Sequence, residues 1–279
     1  MAASRSLRNG QEQGRRVGAR ATPLLPLWAI GAVLPHALFA GRRKYARLRR
    51  GAGRKGGGAM FPIGDDNSGR RSLPVVTYAL IALNVLFFFV ELSGGNAFIQ
   101  QWAFIPRRFG QDPAGGIPTI FTAMFMHAGW LHLGGNMLYL WIFGDNVEDR
   151  FGSLKFLIFY LVCGIAATLA QYYVSPGSRI PNVGASGAIA GVLGSYLLLF
   201  PNARVRVLLY NRIVAMPAIA VLGFWIVLQI FAGAGALFNT AQSQDTGGVA
   251  YMAHVGGFVA GFLFTFLLRG WESDPPRAL

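Results

Sequence analysis

The chain alternates between long apolar runs and short polar connections. A bilayer core about 30 Å thick takes about 20 apolar residues of helix. Six runs approach that length: Val75–Leu92, Ile120–Phe143, Phe156–Val174, Val183–Phe200, Ile213–Phe238 and Val249–Leu268. The pattern predicts an all-α membrane protein with six transmembrane helices in one bundle. Gly129 marks a point where the second helix can begin, with the residues before it in a loop. Leu24–Ala40 is a further apolar stretch, broken by Pro26 and Pro35 and flanked by arginines. It reads as a seventh span, a targeting segment or sequence outside the natural protein, with Met60 as the natural start. The domain expectation is therefore a basic, Gly/Arg-rich extension over 1–59, a six-span domain over 60–270 and a short cytoplasmic tail over 271–279.

Two connections stand out. Ser93 to Thr119 is long and holds Trp102, Phe104, Pro106, Phe109 and Pro113, a composition suited to the membrane interface. Asn239 to Gly248 is polar and suits a mobile cap over a site at the outer face.

Composition agrees with the hydropathy pattern. The chain is 53% hydrophobic and 13% charged, where a soluble domain carries about 25% charged residues. The single cysteine, Cys163, sits in an apolar run and reads as a packing residue. The net charge of +14 invites a nucleic-acid reading that its distribution removes. Residues 1–59 hold 13 Lys/Arg against one acid, Glu12, whereas residues 60–279 hold 12 against 10. The basicity is a tail that fits anionic lipid headgroups, and no nucleic-acid partner is expected. Arg70, Arg71, Arg150, Lys155, Arg204, Arg206, Arg212, Arg269 and Arg277 fall on one side of the predicted topology, and Arg107, Arg108 and Arg179 on the other. Nine against three places both termini in the cytoplasm and the chain in the cell (inner) membrane as a multi-pass protein.

Polar groups inside apolar runs are costly, and each is a functional candidate. Ser186 lies in Asn182-Val-Gly-Ala-Ser-Gly187, and His254 in Tyr251-Met-Ala-His-Val-Gly-Gly257. In the predicted topology both spans run inward from the outer face, which puts both residues roughly 6–9 Å below it at 1.5 Å per residue. Gly187-Ala-Ile-Ala-Gly191 and Gly257-Phe-Val-Ala-Gly261 are small-xxx-small motifs through which two helices approach closely. Docking them brings a hydroxyl and an imidazole together as nucleophile and general base. His132 and Asn136, four apart on one face of the second span, are donors suited to a developing oxyanion. His127 is a third polar group near the same entrance. Taken singly, the serine also reads as helix-interface packing, the histidine as a structural or proton-handling group, and the His132/Asn136 pair as a helix-to-helix bond. Matched depth, matched grooves and donors on a third span favour catalysis jointly. No His-Glu-x-x-His, no paired aspartates within spans and no phosphate-binding loop occur, so no metal or other cofactor is expected; Asp145 and Asp149 fall in a charged loop after the second span.

His127-Ala-Gly-Trp-Leu-His132-Leu-Gly-Gly-Asn136, Gly184-Ala-Ser-Gly187 and Ala253-His254-Val-Gly-Gly257-Phe-Val-Ala-Gly261 resemble, in order and spacing, the motifs of the rhomboid intramembrane serine proteases of bacterial type. The resemblance covers Met60 to about Gly270. It implies Ser186 as nucleophile, His254 as base without an acid, and an oxyanion hole of His132, Asn136 and the Ser186 backbone N–H. It makes His127, Gly184, Gly187, Gly257 and Gly261 supporting residues. Asp145 through Gly152 resembles the family's turn after the second span. The implied substrate is a transmembrane helix of another protein, cut near the outer face after a small residue. Two departures follow. The first outer loop lacks the adjacent Trp-Arg pair of some members. Position 190, an aromatic in some members that packs on the histidine, is Ala190 here, so the imidazole needs support from elsewhere. The alternative reading is a non-catalytic scaffold of the same fold that binds transmembrane helices.

Overall fold

The structure, a computed structural model, describes residues 60–238 and 249–269. The basic extension with Leu24–Ala40, the polar connection at 239–248 and the tail after Arg269 lie outside the described residues. Among the described residues, eight α-helices and three strands follow one another as β1 (Met60–Gly64), α1 (Val75–Trp102), α2 (Pro106–Gln111), α3 (Pro113–Thr122), α4 (Trp130–Phe151), α5 (Ser153–Val174), α6 (Ser186–Leu199), β2 (Arg204–Leu209), β3 (Arg212–Pro217), α7 (Ala218–Phe238) and α8 (Tyr251–Arg269). Among the described residues, α1, α5, α7 over Ala218–Gly235 and α8 over Tyr251–Leu268 are long and apolar enough to cross a membrane.

The short helix α6 is the centre of the bundle. Gly187 through Tyr196 are all buried, as expected of a helix apolar on every side. It packs against α4, α5, α7 and α8. Contact with α8 is backbone on backbone. A Cβ added at Gly257 would overlap the carbonyl oxygen of Gly187, one at Gly261 that of Gly191, and one at Gly194 that of Phe258. Where lipid removes the hydrophobic drive between helices, close packing is what joins them. The glycine Cα–H groups aimed at those carbonyls add roughly 0.5–1 kcal/mol each. Deeper in the bundle, Thr265 Oγ1 donates to Ser195 Oγ at 2.9 Å, a buried bond between the same two helices.

The structure corrects the all-α expectation. β1, β2 and β3 form an antiparallel sheet in that order. Its signal is the two-residue alternation of Arg204-Val-Arg-Val, in which Val205 and Val207 are buried and Arg204 and Arg206 exposed. The apolar run from Ile213 therefore starts as a strand, and α7 begins only at Ala218. The run Ile120–Phe143 is likewise divided. α3 ends at Thr122, a 3-10 turn covers Ala123–Phe125, and the next helix starts at Trp130, directly after Gly129. The fourth run is a 14-residue helix, shorter than Val183–Phe200.

The connection 93–119 is helical for most of its length. Gly95, at φ +57°, breaks α1, which resumes to Trp102. Ala103 and Phe104 are fully buried, and Phe104 bridges to Asn182 through backbone hydrogen bonding. Arg108 donates to the carbonyl of Ala103 at 2.6 Å. The segment thus packs into the protein as well as facing its surroundings.

Asp145 and Asp149 lie on the last turns of α4, which corrects the expectation of a loop. There a dense polar network joins the helix ends. Glu148 accepts the Val76 and Thr77 backbone N–H groups at 2.9 and 2.7 Å and the Thr77 and Ser153 hydroxyls at 2.8 and 2.7 Å. It caps the start of α1, whose first N–H groups have no partner inside the helix. Asp149 accepts from the backbone of Arg71 and Ser72. Arg70 pairs with Asp145 at 2.7 Å. Asp65, in the segment after β1, accepts from Asn146 at 2.6 Å and Tyr196 at 2.8 Å. Burial, with Asp145 nearby, pushes the Asp65 carboxyl up to about 7 against the Tyr196 bond.

Candidate active site

At the opposite end of α4, the chain crosses from extended backbone into α6 through Val183-Gly184-Ala185. Gly184 sits at φ +130°, and a Cβ there would meet the His132 ring at 2.8 Å. Glycine is required on both counts. The turn makes Ser186 the first residue of α6, with Ile189 N–H to Ala185 C=O as the first hydrogen bond of the helix. The backbone N–H of Ser186 is therefore one of the unpaired donors at a helix start, where negative charge is favoured.

His254 lies in the first turn of α8. The glycine contacts between α6 and α8 set its ring beside the serine: His254 Nε2 and Ser186 Oγ are 2.8 Å apart. The other ring nitrogen, Nδ1, is 2.8 Å from Gln229 Oε1 on α7. Trp225, one turn before Gln229, lies against the imidazole with ring centroids 5.8 Å apart. Residues 225 and 229 share a face of α7, and Gly233 continues it, since a Cβ there would meet Tyr251 and Met252 at the start of α8. Ala190 is fully buried in the core. Beyond Ser186, the imidazole is flanked by Trp225 and Gln229 of α7.

The His132 ring lies against Gly184, two residues before Ser186. Its Nδ1 accepts a long bond from the Ala128 N–H at 3.4 Å, which leaves the proton on Nε2. Asn136, one turn further along α4, is buried, and its Nδ2 has no hydrogen-bond partner. His127 is not brought to the serine. It is 1% exposed, stands edge-on to His132 at 5.1 Å and has neither ring nitrogen partnered. Its backbone N–H donates to Glu91 of α1 at 2.8 Å. A small cavity beside Ser186 is walled by Ala123, Met124, Gly164, Ala167, Thr168 and Gly187. Among the described residues no three His, Cys, Asp or Glu side chains gather as metal ligands.

Sequence reasoning missed two polar residues here. Gln229 is the lone amide in the apolar helix α7, and Glu91 an acid within the first apolar run. The rule that singled out Ser186 applies equally to both.

A helical bundle with a serine at a buried helix start, hydrogen-bonded to a histidine on a glycine-docked neighbour, defines a class of multi-pass membrane protein. Residues 114–271 match the family model described as the Rhomboid domain. The chain is 34% identical over 191 residues to the Rhomboid protease GluP of Bacillus subtilis, 68% of this chain and 34% of that protein. It is 29% identical over 211 residues to Rhomboid protein 1, mitochondrial, of Saccharomyces cerevisiae, 73% of this chain and 56% of that one. YdcA of Bacillus subtilis is 30% identical over 200 residues, 71% of this chain and 89% of its own length. This chain belongs to the rhomboid family. It spans about a third of GluP and just over half of the yeast protein.

Proposed function

We propose that this protein is an intramembrane serine endopeptidase. It cuts transmembrane helices of other membrane proteins near the outer face of the cell membrane. Six helices, α1 and α4 to α8, cross the bilayer in this reading. Both termini are cytoplasmic, and the Asp145 end of α4 faces the cytoplasm. The observation that carries the proposal is the 2.8 Å approach of His254 Nε2 to Ser186 Oγ, a nucleophile and base within transfer distance. The name of GluP as a protease supports it.

Neutral His254 takes the Ser186 proton as Oγ attacks the scissile carbonyl. The resulting oxyanion meets the Ser186 N–H, His132 Nε2–H and the Asn136 amide, whose unpaired Nδ2 is spare donor capacity. The imidazolium returns its proton to the leaving amine, and water then releases the acyl group by the same proton relay. The substrate must present an extended segment, because a helix keeps its carbonyls in its own hydrogen bonds. The cavity walled by Ala123, Gly164, Ala167 and Gly187 suits a small side chain next to the cut.

The test is cleavage of a reporter transmembrane substrate in proteoliposomes. Ser186→Ala abolishes cleavage while insertion and melting stay unchanged; undiminished cleavage removes the serine mechanism and favours a helix-binding scaffold. Asn136→Ala lowers turnover about 10- to 100-fold, less than the serine variant because two donors remain.

A further inference from the structure

The geometry points to Gln229 as the third member of the relay, a positioning residue that fixes the His254 tautomer from a helix other than those carrying the serine and histidine. This rests on the Ser186–His254 reading. A neutral imidazole holds one proton on two nitrogens. To receive the serine proton, Nε2 must be the bare one, so Nδ1 carries hydrogen and needs an acceptor. Gln229 Oε1 stands 2.8 Å from Nδ1. Without that acceptor the two tautomers compete, and the population with a proton on Nε2 cannot act as base. The orienting partner of a base is as much part of a relay as the base itself.

Three features make the contact specific. First, Gln229 is the lone polar side chain in the helix from Ala218 to Phe238 apart from the Trp225 indole, where leaving it unpaired is costly. Second, Trp225 and Gln229 are one turn apart and both meet the imidazole, one at its face and one at its edge. Third, Ala190 on α6 offers no ring to hold the histidine, so α7 supplies the support. The groups around the imidazole are Ser186 from α6, Trp225 and Gln229 from α7, and His132 of α4 as the titratable neighbour. An amide differs from the carboxylate of a familiar triad. It fixes the tautomer and ring orientation but brings no charge to the imidazolium.

Gln229→Met keeps length and bulk but has no good acceptor, and Gln229→Glu keeps an acceptor and adds charge. The full-length protein is purified into liposomes, and kcat, KM and the pH dependence of kcat/KM are measured on a transmembrane substrate. Gln229→Met lowers kcat about 10- to 100-fold with KM within about twofold. Gln229→Glu recovers most of that loss and moves the acid limb of the profile to higher pH, since a carboxylate beside Nδ1 favours the imidazolium. Wild-type kcat in Gln229→Met overturns the inference. So do equal losses in both variants with a wild-type pH profile, the signature of packing alone. Ser186→Ala run alongside separates the two readings. Cleavage persisting there strikes the nucleophile assignment, whereas its loss there beside an unaffected Gln229→Met strikes only the role of Gln229.

Discussion

The two ends of α4 use polar residues in opposite ways. At one end, Asp65, Asp145, Glu148 and Asp149 bring four acids together, and each is engaged. Glu148 alone accepts four hydrogen bonds from α1 and Ser153. At the other end, Ser186, His132, Asn136 and His254 are less saturated, and Asn136 Nδ2 has no partner among the described residues. The charged end holds helix starts in place. The quieter end keeps donors in reserve, and unused hydrogen-bonding capacity in a buried site is what a reacting group needs. On the proposed function, charge density is the wrong guide to the reacting groups.

Substitutions sharpen this contrast. The largest effect falls on the α6–α8 seam beside the serine. Gly257→Val forces the helices apart at Gly187 and separates the serine from the histidine. Activity falls at least about 100-fold, because a displacement of about 1 Å at a reacting centre costs that much. Fluorophosphonate labelling falls with it in protein that still inserts. Next, Glu148→Ala removes the cap of α1 and destabilises by about 3 kcal/mol. The melting midpoint in detergent drops by roughly 10 °C, while kcat of the folded protein stays at the wild-type value. A Glu148 variant that melts normally but loses kcat breaks the division between the ends.

The smallest effect is on pH dependence. The Asp65 carboxyl rises from 3.8 to about 7 through burial. Between those values the folded state keeps a proton that the unfolded state releases, so this group's contribution is full below pH 3.8 and lost as pH climbs toward 7. Asp65→Asn keeps an oxygen for Tyr196 and Asn146 but does not titrate. Between pH 5 and 8 the wild-type midpoint falls by roughly 5 °C from this source, and the variant loses that part of the slope. Equal slopes in the two proteins contradict the shift.

Much of this was legible in the sequence. Ser186 and His254 stand out because each is polar within an apolar run and each is followed by paired glycines at a four-residue spacing. The glycine seam followed from the same pattern. What escaped has physical reasons. The hairpin Arg204–Pro217 is two short strands beside an apolar helix, and its period of two is lost when the run from Ile213 is read for length alone. α2 and α3 hide in a segment whose prolines and glycines read as loop, although Pro106 and Pro113 sit at helix starts where proline is tolerated. Gln229 carries no motif around it, and only its isolation in an apolar helix marked it. Its partner His254 lies 25 residues away on the next helix, a relation that spacing within one element cannot show.

The most direct measurement is site mapping of a fluorophosphonate probe on the protein in its native membrane. The account predicts one labelled peptide containing Ser186, with labelling abolished in His254→Ala although that variant inserts normally. Labelling at any other serine, or undiminished labelling of Ser186 without the histidine, contradicts it.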